Sequence, residues 1–292
     1  MEQEMLLPST IKDLSNPNPF RISMARILLL GLSVTPIALA LFLVGTIITD
    51  LDASTYTECE AFNVIPSVSS VAKSNQVGWI IISWWSAAFI LLTAFLYKRL
   101  YRRILPRTVR SLSQILTGSL ILHSFSILVW AHFAHINGTH PLHVITVILL
   151  WSSACIFLGG SFAIHKYHFS AGRISPKDLD NDSQYSYLLK RKLVFTFVGT
   201  FTFMWVWYLL HMEFCPTLEH DKYSRSQQYS IRVIFNLFRC YLFSVYSIFA
   251  IFEFVAFWSF LCYLCTAYFD FYNVYICHDK RLGYYLSEFE TQ

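Results

Sequence analysis

A single carboxylate in the middle of a membrane-length apolar run is the first candidate for chemistry in this sequence. Glu253 is the only charged residue of the stretch Ser244–Ala267. A charge at that depth costs about 3 kcal/mol or more unless it faces protein, water or a partner. The pattern therefore predicts that Glu253 faces the interior of a helix bundle and acts there. Two alternatives remain open: a protonated carboxyl group, or a structural contact to a Tyr, Ser or His such as His123 on another helix.

Two further polar residues, His211 and Glu213, lie at the end of the preceding apolar run. Histidine can act as an acid or a base near neutral pH. A lone histidine at the end of a span is more often a polar group that reaches the interface. Both interpretations of His211 stay open on the residues alone.

The segment after Cys59 is rich in small hydrogen-bonding groups around a proline. Backbone N–H groups and hydroxyls in such a segment can bind an anionic or sugar-like headgroup. The candidate headgroup-binding residues are Asn63, Ser67, Ser69 and Ser70. A simple turn is the more common role of this composition.

The composition leaves no room for a sizeable soluble domain. Of the 292 residues, 55% are hydrophobic and 14% are charged, whereas soluble proteins carry about 25% charged residues. The first apolar run begins near Ile27 and is too long for a cleaved signal peptide, so we interpret it as an uncleaved span. The net charge of +4 reflects membrane topology, and no nucleic-acid partner is expected.

Six apolar segments have the length that crosses a hydrocarbon core, about 20 residues each. The fold class predicted from them is all-α: a polytopic membrane protein with a bundle of six transmembrane helices. The segments are Ile27–Ile48, Gly78–Tyr97, Leu112–Phe133, Leu142–Ile164, Leu193–His211 and Ser244–Ala267.

The distribution of Lys and Arg predicts the orientation of the bundle. Seventeen of the 22 basic residues fall on one side of the six spans and five on the other, and basic residues favour the cytoplasmic side. Both termini are therefore predicted to be cytoplasmic. The predicted parts are an N-terminal tail (1–21), a six-span domain (22–268) with lumenal loops 49–77, 134–141 and 212–243, and a C-terminal tail (269–292). No internal repeat supports an inverted-repeat transporter.

Cysteines and a sequon on the predicted lumenal side suggest secretory-pathway chemistry. Cys59 and Cys215 share that side, where disulfides form, and we predict that they are bridged. Asn137 begins a glycosylation sequon, in a loop expected to be too short for modification. Four histidines crowd the same region without a carboxylate, and we predict neither a metal site nor a cofactor. They are His132, His135, His140 and His143.

Several of these stretches together resemble one known family. Cys59 with Asn63–Ser70 (NVIPSVSS) resembles the first lumenal loop of the post-GPI attachment to proteins factor 2 family. His211-x-x-x-Cys215 resembles the motif before that family's last span, and Val245–Glu253 (VYSIFAIFE) resembles its last-helix signature. In the family, the third motif follows almost directly after the cysteine of the second motif. Here Pro216–Ser244 intervenes, as an ordered insertion, an interfacial helix or a segment retained from a mispredicted gene.

The resemblance implies lipid remodelling of glycosylphosphatidylinositol (GPI) anchors. Family members are needed to fit a fatty acid to the lyso-anchor in the Golgi and endoplasmic reticulum membranes, and whether they are the acyltransferase or an accessory is open. The implied partners are GPI-anchored proteins and membrane lipid, with the acyl donor unknown. An acyl transfer needs a base near the lipid hydroxyl, for which His211 is the first candidate and Glu253 the second.

Aromatic residues near the span ends suggest a groove for acyl chains. The candidates are Trp79, Trp84, Trp85, Trp205, Trp207 and Tyr208. An interfacial aromatic belt is the more typical role for Trp79 and Trp205.

Two other functions compete with remodelling. The wider superfamily includes DRAM-like proteins, which regulate membrane trafficking and autophagy without known enzymatic activity. A small transporter that uses Glu253 is the other alternative, and the lack of further charges within the spans disfavours it.

Overall fold

The structure is a computed structural model that describes residues 21–55, 63–133, 140–170, 181–214, 245–279 and 283–288. Within these residues the chain is mostly helical, and six helices are long and apolar enough to cross a membrane. They confirm the six predicted spans. Their bounds are α1 Met24–Thr49, α4 Gln76–Ile104, α5 Ser111–Phe133, α6 Pro141–Ser170, α7 Asn181–Phe214 and α8 Val245–Cys265; the short helices are α2 Leu51–Ser54, α3 Val68–Ser74 and α9 Ala267–Asp270.

Several spans extend beyond the apolar runs that predicted them. Helix α4 continues seven residues past Tyr97 to Ile104, and α7 begins at Asn181, twelve residues before Leu193. Lys, Arg and Leu are good helix formers, so helical structure need not end where hydropathy falls. The basic residues at the ends of these spans therefore lie within the helices.

The long helices form a closed ring. Each packs against its neighbour in the order α1, α4, α5, α6, α7 and α8, and α8 returns to α1. A close approach of α1 and α4 depends on Gly31, where an added Cβ would overlap the ring of Phe89. The carbonyl of Gly31 also accepts a hydrogen bond from Trp85 Nε1 at 2.8 Å.

The segment after α1 returns to the bundle, which the sequence did not predict. Its described residues form α2 and α3. Helix α3 inserts an apolar face into the core, since Val68, Val71 and Ala72 are at most 1% exposed. The loop is thereby part of the packed structure.

A three-stranded antiparallel sheet joins the two ends of the described part of the chain at one end of the bundle. Strand β1 (Arg21–Ser23) pairs with β2 (Val274–Asp279), which pairs with β3 (Gly283–Glu288). Because β1 directly precedes α1 and β2 follows α9, both ends of the described chain lie at the same end of the bundle, here called the sheet face. The opposite end, which carries α2 and α3, is called the loop face.

The sheet includes residues beyond 268, for which the sequence predicts only a C-terminal tail. Its shortest strand, β1, spans three residues and has no alternating pattern long enough to detect. By the Lys and Arg distribution, the sheet face is predicted to be cytoplasmic and the loop face lumenal.

Candidate functional site

Glu253 receives a backbone hydrogen bond from the loop between α1 and α4. The side chain lies on α8, about 12 Å from the helix start at a rise of 1.5 Å per residue. Its Oε2 accepts the N–H of Val68 at 2.8 Å, and the residue is 9% exposed. Because Val68 is the first residue of α3, its N–H has no partner within that helix. The carboxylate accepts a hydrogen bond from this N–H, and its negative charge interacts favourably with the positive end of the α3 dipole.

Two more side chains of α8 bind the same loop. Tyr246 Oη accepts the N–H of Ser67 at 3.3 Å, and Ser247 Oγ accepts the N–H of Val64 at 3.0 Å. Positions 246, 250 and 253 repeat on one face of a helix. Ala250 between them is fully buried and small enough for the loop to approach. The last span thus holds the loop backbone at three points.

The candidate headgroup-binding residues mostly make contacts inside the protein. Ser67 caps α3, since its Oγ accepts the N–H of Ser70 at 3.2 Å, as expected for an N-cap serine. Ser70 Oγ lies 3.3 Å from Tyr246 Oη, and Asn63 Nδ2 donates to the Thr55 carbonyl at 2.8 Å. Ser69 is half-buried and has no side-chain hydrogen bond within the described residues. The motif therefore builds a docked helix turn.

The remaining predicted site residues are only partly visible. The backbone of His211 lies in the last turn of α7, while its side chain falls outside the described part. Tyr208, one turn earlier, contacts the ring of Phe249 on α8 with centroids 5.6 Å apart. The end of α7 therefore lies beside the start of α8, at the loop face. The predicted disulfide residues Cys59 and Cys215 and the sequon residue Asn137 lie outside the described residues.

The hypothesis that His123 pairs with Glu253 is wrong. His123 is buried, and its Nδ1 lies 3.1 Å from both the Leu150 carbonyl and Ser153 Oγ on α6. Its ring contacts Phe260, with centroids 4.4 Å apart. Its Nε2 has no hydrogen-bond partner among the described residues. His123 therefore packs against the same face of α8 as Glu253 but seven residues, about 10 Å, further along that helix.

An apolar cavity opens between α6 and α7 in the half of the bundle nearer the loop face. Its volume is about 350 Å³, and Trp151, Cys155, Phe201 and Trp205 are among its lining residues. Residues of α6 from Ile148 to Ile156 line it, which places it about 10 to 22 Å below the start of α6. Its lining and depth suit a lipid acyl chain.

The predicted aromatic residues differ in burial and in location. Trp79 is fully buried, with its ring centroid 5.5 Å from that of Trp130, so the interfacial interpretation of Trp79 is wrong. Trp84 and Trp85 face outward. Of the candidates, Trp205 lines the cavity.

A charged cluster that the sequence does not predict lies near the sheet face. Lys190 on α7 is fully buried and forms an ion pair with Asp270 on α9. Tyr97 Oη donates to Asp270 Oδ2 at 2.5 Å, and Lys190 Nζ lies 2.8 Å from His165 Nε2. Because His165 Nδ1 must donate to the Ser161 carbonyl, 2.8 Å away, Nε2 accepts from the lysine. Their only signal in the sequence was that Lys190 and Asp270 flank apolar runs on the same predicted side.

A comparison with protein-family models identifies the wider family of the chain. The family described as Frag1/DRAM/Sfk1/Cwh43P N-terminal domain matches residues 24–274, which span all six long helices and end at the first residue of β2. No curated protein and no solved structure matches the chain significantly. The match covers more than half of the 292 residues but does not distinguish the post-GPI attachment to proteins factor 2 branch from the others. The chain is a multi-pass membrane protein that belongs to the Frag1/DRAM/Sfk1/Cwh43P family.

Proposed function

We propose that this protein acts in the lipid remodelling of GPI anchors, in the step that reacylates the lyso-anchor, as the enzyme or as a required accessory. One observation carries the proposal. Two of the stretches that resemble the post-GPI attachment to proteins factor 2 family bind each other, through Val68 N–H on Glu253, Ser67 N–H on Tyr246 and Val64 N–H on Ser247. Their association makes one site out of motifs that are far apart in the sequence.

The shape of the bundle suits a GPI anchor in the lumenal leaflet. The docked loop lies at the loop face, where the glycan would stand outside the membrane. The cavity lined by Trp151, Phe201 and Trp205 lies in the same half of the bundle, at the depth of the acyl chains of that leaflet. On the family resemblance, we propose the Golgi and endoplasmic reticulum membranes as the location of the protein, with membrane lipid and GPI-anchored proteins as partners.

His211 is the base that we propose for acyl transfer. It would take the proton of the lyso-lipid hydroxyl as that oxygen attacks the carbonyl carbon of an ester or thioester donor. The donor's leaving group would then depart with that proton, and a new ester would join the acyl chain to the anchor. The end of α7 places the His211 backbone beside the start of α8, next to the docked loop.

Glu253 acts by positioning the loop in this proposal. Its Oε2 is engaged by Val68 N–H, and the protein around it leaves the residue 9% exposed. Its Oε1 has no hydrogen-bond partner among the described residues, so a direct role of that oxygen is an alternative that the variants below separate.

The test is rescue of cells that lack their own family member. The chain is expressed, and the lipid of a surface GPI-linked reporter is determined by mass spectrometry. We expect saturated anchors to return, and His211→Ala to abolish the return at normal expression. His132→Ala, which changes an exposed histidine at the same face, is the matched control and should rescue fully. A folded, correctly located wild-type chain that leaves the anchor lipid unremodelled would refute the proposal.

A DRAM-like role in membrane trafficking is the second candidate, because the matching family model includes DRAM. Normal anchor lipids in cells from which the native gene is deleted, together with lysosomal residence of the protein, would favour it.

A further inference from the structure

A continuous row of aromatic rings joins the cavity between α6 and α7 to the docked loop. Trp205 lines the cavity, and its ring centroid lies 5.7 Å from that of Tyr208, which in turn lies 5.6 Å from that of Phe249 on α8. The ring of Phe249 lies 6.0 Å from that of Tyr246, whose Oη accepts the N–H of Ser67 in the loop. The docked loop and the cavity are therefore the two ends of one apolar surface.

The cavity is open toward the surrounding lipid and closed toward the inside of the bundle. Ile148 and Ile156, at its two ends along α6, are 49% and 46% exposed. Trp151 forms the inner wall, since it is buried and its ring lies 6.2 Å from that of Phe257 on α8. An acyl chain can thus enter sideways from the bilayer, and packing against fixed rings favours an ordered chain over bulk lipid.

One face of α6 shows where the cavity ends. Four residues with spacings of four, three and four positions share this face: Ile148, Ser152, Cys155 and Gly159. The first three line the cavity, and Gly159 does not. Just beyond Gly159, the ring of Phe162 stacks on that of Tyr187 of α7, with centroids 6.0 Å apart. The two helices are therefore in contact beyond Cys155, and the cavity ends near that residue.

The length of the cavity limits the acyl chain that it can hold. From Ile148 to Ile156 it extends about 12 Å along α6, which holds about nine carbons of an extended chain at about 1.3 Å each, from C–C bonds of about 1.5 Å. On α7, Trp205 precedes His211 by six residues, about 9 Å along the helix axis. An acyl chain whose carbonyl carbon lies at the level of His211 therefore passes along the aromatic row and has its last carbons in the cavity.

We infer that this cavity sets the maximum length of the acyl chain transferred in the proposed remodelling reaction, and that Cys155 lies at its end. The inference rests on the proposed function. The carbonyl end of the acyl chain lies at the docked loop, and its methyl end lies beside Cys155 and Ile156. A longer acyl chain does not fit, because α6 and α7 are in contact beyond this point. Cys155 is thus a specificity-determining residue that takes no part in the bond changes.

The first test uses the rescue assay and reads the length of the acyl chains on the reporter's anchor by mass spectrometry. Cys155→Phe fills the last turn of the cavity and should shorten the predominant acyl chain by about four carbons, the length of one helical turn. Gly159→Phe places the same side chain beyond the cavity, where an added Cβ meets no atom within 4 Å, and should leave the lengths unchanged. If Cys155→Phe does not fold, Cys155→Leu should shift the lengths in the same direction by fewer carbons.

The outcomes of this assay separate the inference from the proposed function. Unchanged acyl lengths in a Cys155→Phe protein that still remodels anchors would overturn the inference and leave the proposed function intact. Equal shortening in Gly159→Phe would also overturn it, since the effect would not depend on the end of the cavity.

A second test measures binding without the reaction. The purified full-length protein in detergent is irradiated with fatty acids of twelve or eighteen carbons that carry a diazirine on the last carbon. The longer probe should label α6 at Cys155 and Ile156, and this labelling should fall severalfold in Cys155→Phe but not in Gly159→Phe. The shorter probe should label all three proteins equally. Absence of α6 labelling by the longer probe would overturn the inference, whereas the expected labelling in a protein that leaves anchors unremodelled would refute only the proposed function.

Discussion

Removing the Glu253 carboxylate should release the loop between α1 and α4 from the last span. In Glu253→Ala the N–H of Val68 loses its acceptor at a buried position, which costs about 1–3 kcal/mol. In Glu253→Gln the amide oxygen can still accept this N–H, but the bond loses its charge. The second change should therefore cost only about 1 kcal/mol, the difference between charged and neutral hydrogen bonds.

Thiol labelling can measure how often the loop opens. Ala72 is fully buried in the interface of α3, so a cysteine there reacts with a membrane-impermeant maleimide only when α3 leaves the bundle. A cost of about 1–3 kcal/mol predicts that labelling of Ala72→Cys rises about fivefold to 150-fold in the Glu253→Ala background, and about fivefold with Glu253→Gln. Lys73→Cys, at an exposed neighbour, should label at one rate in every background.

Unchanged labelling of Ala72→Cys in the Glu253→Ala protein would refute the docking role of Glu253. The remodelling assay then separates positioning from proton transfer. If Glu253 positions the loop, anchor remodelling should fall in proportion to loop opening, and Glu253→Gln should keep most of it. Complete loss of remodelling in Glu253→Gln with a closed loop would instead assign proton transfer to this carboxylate.

Three further predictions follow from the contacts. Lys190→Met should lower the free energy of unfolding by about 3–5 kcal/mol, because it leaves Asp270 buried without its cation, and adding Asp270→Leu should recover most of that loss; thermal unfolding in detergent measures both. Tyr246→Phe removes the acceptor of a loop N–H and should cost about 1 kcal/mol, read by the same labelling. Ser152→Trp fills the cavity between α6 and α7 and should lower anchor remodelling severalfold at normal expression.

Two of these predictions have a matched control on the same helix. Lys192→Met changes an exposed lysine of α7 and should alter stability by less than about 0.5 kcal/mol. A Lys190→Met protein as stable as wild type would contradict a structural ion pair. Ile145→Trp places the same bulk on an outward-facing position of α6 and should leave remodelling intact, whereas an equal loss would show that Ser152→Trp acts through folding alone.

The spans were predictable because the hydropathy of a long segment shows directly whether it is more stable in lipid or in water. An apolar run of about 20 residues is most stable as a helix across the hydrocarbon core. All six such runs form long helices. The inward placement of Glu253 was predictable for the same reason, since a carboxylate facing lipid is costly.

Partners across the bundle were not predictable in this way. Hydropathy locates a residue along its span only to within a turn or two. His123 packs against Phe260, on the same face of α8 as Glu253 but about 10 Å further along the helix. Trp79 shows the same limit: it lies near the end of a span like an interfacial tryptophan, yet it packs against Trp130 in the core. The Lys and Arg distribution treats every basic residue outside the spans as a surface charge, but helix packing buries Lys190 against Asp270.

The sequence by itself determined the class of the protein, the number of its spans and the stretches of its candidate site, because these depend on composition and local order along the chain. Only the tertiary structure decided that Glu253 binds Val68, that Lys190 binds Asp270 and that the first strand pairs with the strand after the last span. These contacts join residues that are far apart in the sequence. Their existence depends on how the helices rotate and pack against one another, which no local pattern encodes.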